Sequence, residues 1–150
     1  AGISLALSCD FQIISETSKC AFSFVNIGFV PDSGAACLVT RAVGTTRAKD
    51  LFMSGRFFSG KDAADWGLFT EAVPAEELEE RVMKYVKKYS SGPSVAYAGI
   101  KTVINRAQFA AYADAMQAEI DAQGECELTE DFPEAVTAFL EKRRPQFKGK

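Results

Sequence analysis

A single carboxylate lies between a proline and a glycine in the stretch Val30-Pro31-Asp32-Ser33-Gly34. Pro31 fixes its own backbone angle and biases the preceding residue toward extended geometry, and an apolar run typical of a buried helix follows Gly34. Asp32 is therefore expected at a helix N-terminus. Two roles are open for its side chain: an N-cap that accepts backbone N–H groups, or an acid and base in a pocket beside the turn. Local propensity alone favours the cap.

Composition limits the classes of function to consider. The chain has 150 residues, 47% of them apolar, which suits one domain with a buried core. A net charge of −3 without a long basic run gives no electrostatic footprint for nucleic acid. Histidine is absent, which excludes Ser-His-Asp and Cys-His catalysis and removes the commonest metal ligand. No window reaches the roughly 18 to 20 apolar residues of a membrane span. Neither nucleic acid nor a membrane is therefore predicted as a partner.

The cysteines bear on the cellular compartment of the protein, and the first residue bears on whether the chain is part of a longer one. Cys9, Cys20, Cys37 and Cys126 show no C-x-x-C spacing, which favours reduced core residues of a cytoplasmic protein over disulfides or a metal site. The sequence starts at Ala1 without a methionine, inside a pattern of small and apolar residues. It is therefore interpreted as the later part of a longer protein.

The order of predicted elements divides the chain into two parts, residues 1–73 with mixed short strands and helices, and residues 74–150 with helices only. Strands are predicted at 11–14, 21–25 and 68–73. Helices are predicted at 1–9, from 35 to a stop at Gly44, from 45 or 46 to 55, at 59–67, 75–89, 94–107 and 109–125, and from 131 onward. Capping boxes are expected at Ser59 and Asp131. In the helix 109–125 the apolar stripe is expected to contain Phe109, Ala113, Met116 and Ile120.

Several stretches in this order resemble the signatures of one known family. They are Ala1 to Asp10, Asn26 to Gly34, Ala63 to Leu68, and Ala138 to Phe147. Together they are similar to the crotonase superfamily, the enoyl-CoA hydratase/isomerase family. The resemblance implies an α/β fold, in which the later ββα turns of a spiral precede C-terminal helices that form a homotrimer or hexamer. It covers all 150 residues but only the second half of a family member, so the N-terminal half of the same protein is expected as a missing partner.

The resemblance also implies the chemistry. Family members bind an acyl-CoA thioester, need no further cofactor, and stabilise a thioester enolate with two backbone N–H donors. Such preorganised donors contribute on the order of 3 kcal/mol each. One donor falls on Ala1, with Gly2 beside it, and small residues let the thioester approach the backbone. The alternative is that these two residues only form a tight helix start.

The acid and base positions decide which reaction the resemblance implies. Family hydratases use two glutamates, and this chain has Ser4 and Phe24 at those positions, so hydration is not favoured. Family isomerases carry an acid directly after the turn proline, which is Asp32 here. The resemblance is close to the isomerases of phenylacetate degradation and to Δ3,Δ2-enoyl-CoA isomerases. It therefore reverses the local preference and makes Asp32 the predicted proton-transfer residue.

The same resemblance gives the expected pocket and two alternatives. Phe24, Ile27 and Phe29 are predicted to wall the substrate pocket with apolar surface, and no metal is predicted. The first alternative is a hydratase or lyase with atypical residues. The second is a non-catalytic subunit that is retained for assembly through its C-terminal helices.

Overall fold

The computed structural model describes residues 1–149, so Lys150, the last residue of the predicted helical part, lies outside the described residues. The helices are α1 (Gly2–Leu7), α2 (Ala35–Ser54), α3 (Gly60–Asp65), α4 (Leu78–Ser90), α5 (Ser94–Gln108), α6 (Tyr112–Glu127) and α7 (Asp131–Leu140). The strands are β1 (Ile13–Ser15), β2 (Lys19–Cys20), β3 (Phe58–Ser59) and β4 (Glu71–Val73). Short 3₁₀ helices occupy Ser23–Ile27 and Ala75–Glu77. Strands thus occur only before Pro74 in the described chain.

The strands form two small pairs. β1 runs parallel to β4, with Ile13 opposite Glu71, and β2 runs antiparallel to β3, with Cys20 opposite Phe58. α3 joins β3 to β4 and begins with the predicted capping box. In that box the Asp62 N–H donates to the Ser59 hydroxyl over 3.0 Å, and the Ser59 N–H donates to the Asp62 carboxylate over 2.8 Å. Both terminal donors are thereby satisfied, which fixes where α3 starts.

The hydrophobic core packs α2 and α3 against the strands. Its members are Cys20, Phe22, Ala35, Val39, Ala48, Leu51, Phe58, Ala63, Leu68 and Phe69. The largest fully buried side chains are Leu51, Leu68 and Val39, and full burial of such a side chain contributes about 1.5–3 kcal/mol. α2 supplies two of them, so the core holds this helix and the turn before it in place.

The predicted stop at Gly44 is a break within α2. Gly44 has φ 76° and ψ 162°, which is not helical, and helical geometry resumes directly after it. The sequence therefore predicted two helical segments correctly, and the structure places them end to end in one element.

The prediction of a strand at 21–25 is wrong. The pairing of β2 with β3 ends at Cys20, and Ser23–Ile27 forms a 3₁₀ helix that Gly28 ends with φ 69°. The chain then turns so that the Phe29 ring stacks on Phe132 of α7, with ring centroids 4.3 Å apart. Apolar composition predicted burial there, but a short apolar run does not determine backbone geometry.

The strand predicted at 68–73 is shorter in the structure. The N–H groups of Leu68 and Phe69 donate to the Ala63 carbonyl over 2.8 and 3.2 Å, which closes α3 with a turn. Only Glu71–Val73 remains to pair with β1. Both early residues are nevertheless in the core, so their burial was predicted correctly and their conformation was not.

Three of the four residues of the apolar stripe predicted for 109–125, Ala113, Met116 and Ile120, are exposed on the outer face of α6, whereas Phe109 lies before α6 and is half-buried. Ile120 is 63% exposed and Met116 is 38% exposed, whereas Glu119 is only 7% exposed. The inward face carries Tyr112, Ala115, Glu119, Ala122 and Cys126. Helical spacing identified the helix, but it does not specify which face meets a neighbouring element.

The cysteine prediction holds only in part. All four cysteines are free, but only Cys20 is buried, and Cys9 is exposed. Burial raises the pKa of the Cys20 thiol, which keeps it protonated. None of the helices within residues 1–149 combines the length and apolar character needed to cross a membrane.

The predicted capping box at the start of α7 is also wrong. No side chain caps that helix, and the Asp131 carboxylate instead accepts the N–H groups of Lys148 and Gly149 over 2.6 and 2.9 Å. Glu134 accepts two hydrogen bonds from the Arg143 guanidinium, over 2.6 and 2.9 Å. The acidic first turn of α7 therefore holds the C-terminal tail, residues 143–149, against the helix.

This tail contact should depend on pH. Hydrogen bonds from Arg143 and from the Gln146 N–H lower the pKa of Glu134 from 4.5 to about 2. The contact is then fully present above pH 4.5 and is lost as the pH falls through about 2. Carboxyl NMR should give a Glu134 midpoint near 2. Arg143→Gln should move this midpoint up toward 4.5, whereas Lys142→Gln, at the exposed neighbour, should not. A parent midpoint at 4.5 would contradict the contact.

Candidate active site

The turn that carries Asp32 has an unusual backbone. Ser33 and Gly34 both have positive φ, 58° and 74°, and the Ala35 N–H donates to the Asp32 carbonyl over 3.0 Å. Left-handed geometry at Gly34 costs little because glycine has no Cβ. The two residues reverse the chain direction, so α2 begins directly behind Asp32.

The Asp32 side chain is not the cap of α2. It is half-buried, and its Oδ1 accepts a hydrogen bond of 2.9 Å from the Ser33 hydroxyl. No backbone N–H of residues 1–149 donates to its carboxylate, and the N-cap residue is Gly34. The N-cap role that local propensity favoured is therefore wrong. The carboxylate is left without the backbone contacts that would hold it at the helix end.

Glu119 of α6 caps the helix instead. Its Oε2 accepts the Gly34 N–H over 2.7 Å and its Oε1 accepts the Ala36 N–H over 2.8 Å. A negative carboxylate at a helix N-terminus is stabilised by the unpaired N–H groups and by the helix dipole. Gln123, one turn further along α6, donates to the Val30 carbonyl over 3.0 Å. The turn is thus held by a helix more than 80 residues away in the sequence.

Sequence reasoning missed Glu119, although a local signal exists. Glu119 lies seven residues after Tyr112 and seven before Cys126. That spacing puts a carboxylate in line with two residues of low polarity on one helix face. A charge at such a position is buried only when it is paired or hydrogen-bonded. The spacing predicts that the Glu119 carboxylate is buried with a hydrogen-bond partner, but it does not identify the Gly34 and Ala36 N–H groups as that partner.

Tyr112 closes over Gly34 from the first turn of α6. A Cβ atom at Gly34 would overlap the Tyr112 hydroxyl and lie 2.8 Å from the ring carbon that carries it. Burial raises the pKa of Tyr112, with further contributions from the charges of Cys37 and Glu119. The phenol therefore stays protonated at neutral pH.

A separate cavity of about 810 Å³ lies against the start of α1. Its lining includes Ala1, Gly2 and Phe24, with Tyr85 and Tyr89 of α4 on another side. Ala1 and Gly2 are exposed, and no atom lies within 4 Å of the place where a Cβ of Gly2 would be. The backbone at this helix start therefore forms part of the wall of the cavity.

The structure groups some of the predicted site residues and separates others. Ala1, Gly2 and Phe24 share the lining of the large cavity, whereas Ile27, Phe29 and Asp32 are not part of that lining. Ile27 ends the 3₁₀ helix, which packs on α7, and the Phe29 ring stacks on Phe132 of α7. Within residues 1–149 no three histidine, cysteine, aspartate or glutamate side chains are arranged to hold a metal ion.

Comparison with known proteins gives matches along the whole chain. The family model described as enoyl-CoA hydratase/isomerase matches residues 1–150. Two curated relatives are the trans-2-decenoyl-[acyl-carrier-protein] isomerase of Streptococcus mutans, 34% identical, and the 1,2-epoxyphenylacetyl-CoA isomerase of Escherichia coli, 33% identical. Each aligns over 150 residues, which is 100% of this chain and 57% of the relative.

Solved structures agree with these matches. An enoyl-CoA hydratase from Mycobacterium avium subsp. paratuberculosis superposes with a TM-score of 0.91 at 39% identity, covering 98% of this chain and 60% of the other. The chain thus spans somewhat more than half the length of the proteins that it matches.

Proposed function

Since the chain belongs to the enoyl-CoA hydratase/isomerase family, we propose that the natural protein containing it is an acyl-CoA isomerase. The reaction shifts a carbon–carbon double bond, and Asp32 transfers the proton. The resemblance to the crotonase superfamily and its α/β fold is confirmed by the family match and by the superposition on the mycobacterial hydratase. One observation carries the choice of Asp32: its carboxylate accepts no backbone N–H within the described chain, because Glu119 caps α2.

The proposed reaction needs one carboxylate and two N–H donors. The Asp32 carboxylate removes a proton from the carbon next to the thioester carbonyl, and negative charge develops on the carbonyl oxygen. One of these donors is the Ala1 N–H, with Gly2 beside it, and the other is expected in the N-terminal half of the natural protein; together they stabilise that charge in the transition state more than in the substrate. Asp32 then returns the proton two carbons along the chain, so that atoms and charge balance without a cofactor.

One further observation supports isomerisation over hydration. Ser4 and Phe24, at the positions where the family resemblance expects the two hydratase glutamates, have no carboxylate to activate water. The names of relatives do not decide between the reactions, since those at 34% and 33% identity are named isomerases and another at 33% is named a probable enoyl-CoA hydratase. The names of the two isomerases describe thioester substrates on acyl-carrier protein and on coenzyme A, so we propose a thioester substrate, with coenzyme A as the carrier.

A second candidate is the non-catalytic subunit. It is favoured by the separation of Asp32 from the cavity that Ala1 and Gly2 line. In that case the chain serves assembly through α5, α6 and α7, which expose apolar side chains such as Val103 and Phe139. Assembly as a trimer or hexamer and a cytoplasmic location stay predictions from the sequence.

One substrate comparison separates these candidates. The natural full-length protein is incubated with a 3-enoyl-CoA and, separately, with crotonyl-CoA. We expect the first to be converted to the 2-enoyl-CoA and the second to be hydrated little or not at all. Hydration of crotonyl-CoA at a rate equal to or above isomerisation would instead indicate the atypical hydratase. Absence of both reactions would indicate the non-catalytic subunit.

A further inference from the structure

We propose that Glu119 is a positioning residue for Asp32, acting through the backbone of the turn; this inference rests on the proposed function. Glu119 is the one charged side chain that is buried within residues 1–149, at 7% exposure. The proposed proton transfer does not use it directly. Its two hydrogen bonds go to Gly34 and Ala36, two and four residues after Asp32.

Asp32 and Glu119 are both placed to compete for the N–H donors at the start of α2. The first turn of a helix leaves N–H groups without partners inside the helix, and aspartate is among the side chains that most often accept them. Asp32 is close enough in the sequence to do so. A carboxylate that accepts such bonds is stabilised in its charged form and is a weaker base. Because Glu119 accepts these donors, Asp32 remains available for proton transfer.

α6 also fixes the geometry of the turn that carries Asp32. Glu119 and Gln123 lie one helical turn apart on α6, and they contact the chain on both sides of Asp32. Gln123 holds the Val30 carbonyl, two residues before Asp32, and Glu119 holds the Gly34 N–H, two residues after it. A rigid helix thus fixes both ends of a five-residue turn. Catalytic groups need this accuracy because a small displacement of the reacting atoms costs much of the rate.

The two hydrogen bonds also compensate for the burial of the Glu119 carboxylate. A buried carboxylate is strongly disfavoured unless hydrogen bonds compensate for the lost water. Glu119 obtains two bonds of 2.7 and 2.8 Å to backbone N–H groups, and hydrogen bonds to a charged group are stronger than neutral ones. An amide at this position would accept only one of these bonds, and its NH₂ group would face the other N–H donor. Glu119→Gln therefore removes the double contact with almost no change in size.

The kinetic test uses the full-length protein and a 3-enoyl-CoA. Glu119→Gln should lower kcat about tenfold or more, with KM within about twofold of the parent, because only the reacting geometry changes. Glu125→Gln is the matched control, since it makes the same chemical change on an exposed part of α6, and it should leave both constants unchanged. In the Asp32→Asn background, Glu119→Gln should cause no further loss of kcat. The same fractional loss in both backgrounds would show a general structural role and overturn the proposal.

Amide hydrogen exchange gives a readout that does not depend on activity. Glu119→Gln should reduce the protection of at least one of the Gly34 and Ala36 amides by about tenfold or more, because the glutamine amide accepts only one N–H, and Glu125→Gln should not. Unchanged protection in folded Glu119→Gln would overturn the positioning role whatever the kinetics show. If Glu119→Gln does not fold, Glu119→Asp serves instead, because it keeps the charge but is too short to hold both N–H groups. Full activity of Asp32→Asn would overturn the proposed function, and exchange would still decide whether Glu119 holds the turn.

Discussion

Asp32→Asn is expected to lower kcat for double-bond isomerisation by about a thousandfold, with KM changed only a few-fold. The amide has nearly the same shape as the carboxylate but can neither accept the proton from the substrate nor return it. No other acid is available at the positions that the family resemblance assigns to catalysis, because Ser4 and Phe24 occupy them. Steady-state kinetics of the full-length protein with a 3-enoyl-CoA measures the effect.

Folding should be nearly unaffected by this change. The Asp32 carboxylate accepts only the Ser33 hydroxyl among the described residues, and α2 is capped by Glu119. The thermal midpoint of Asp32→Asn should therefore lie close to that of the parent. Asp114→Asn makes the same substitution at an exposed position in the first turn of α6, and it should leave kcat unchanged. Equal losses of kcat in both variants would argue against a specific role for Asp32.

Gly34→Ala is expected to destabilise the protein by about 3 kcal/mol or more. The left-handed geometry at φ 74° costs a residue with a Cβ about 1–2 kcal/mol. The added Cβ also overlaps the Tyr112 hydroxyl, and relieving such overlap in a packed site costs roughly 1–3 kcal/mol. Denaturant unfolding of the parent and the variant measures the difference in the free energy of unfolding.

Gly67→Ala separates these two costs. Gly67 has the same φ of 74°, but no atom lies within 4 Å of where its Cβ would be. This control should lose only the backbone contribution, about 1–2 kcal/mol. If both variants lose the same free energy, Tyr112 does not pack on Gly34 as described. Tyr112→Phe should rescue Gly34→Ala only in part, because the ring carbon is also 2.8 Å from the added Cβ.

Local patterns predicted most of the helices and the turn that carries Asp32 well. The positions of α2, α3 and α7 follow from glycine stops, a capping box and helical spacing, each of which acts over a few residues. The same patterns misassigned residues 21–25 as a strand and the outward face of α6 as its apolar stripe. Both errors concern how an apolar segment meets a distant neighbour, which local spacing does not specify.

The candidate site shows the same division between local and distant information. Asp32 stays a prediction from the sequence, and Ala1, Gly2 and Phe24 lie on one cavity. Ile27 and Phe29 lie outside that lining, and the chain after Gly28 places the Phe29 ring on Phe132 of α7. The cap of α2 comes from Glu119, 85 residues after Gly34. Nothing close to Asp32 in the sequence indicates that another carboxylate accepts the N–H groups at this helix start.

The C2 protons of a 3-enoyl-CoA provide the most direct test that Asp32 moves the proton. In D₂O, proton NMR follows the loss of the C2 methylene signal, which reports proton removal separately from the later steps. With the parent protein we expect this signal to decay while the 2-enoyl-CoA forms, and with folded Asp32→Asn we expect both changes to be about a thousandfold slower. Removal of the C2 protons by Asp32→Asn at the rate of the parent would contradict the assignment of Asp32 as the base.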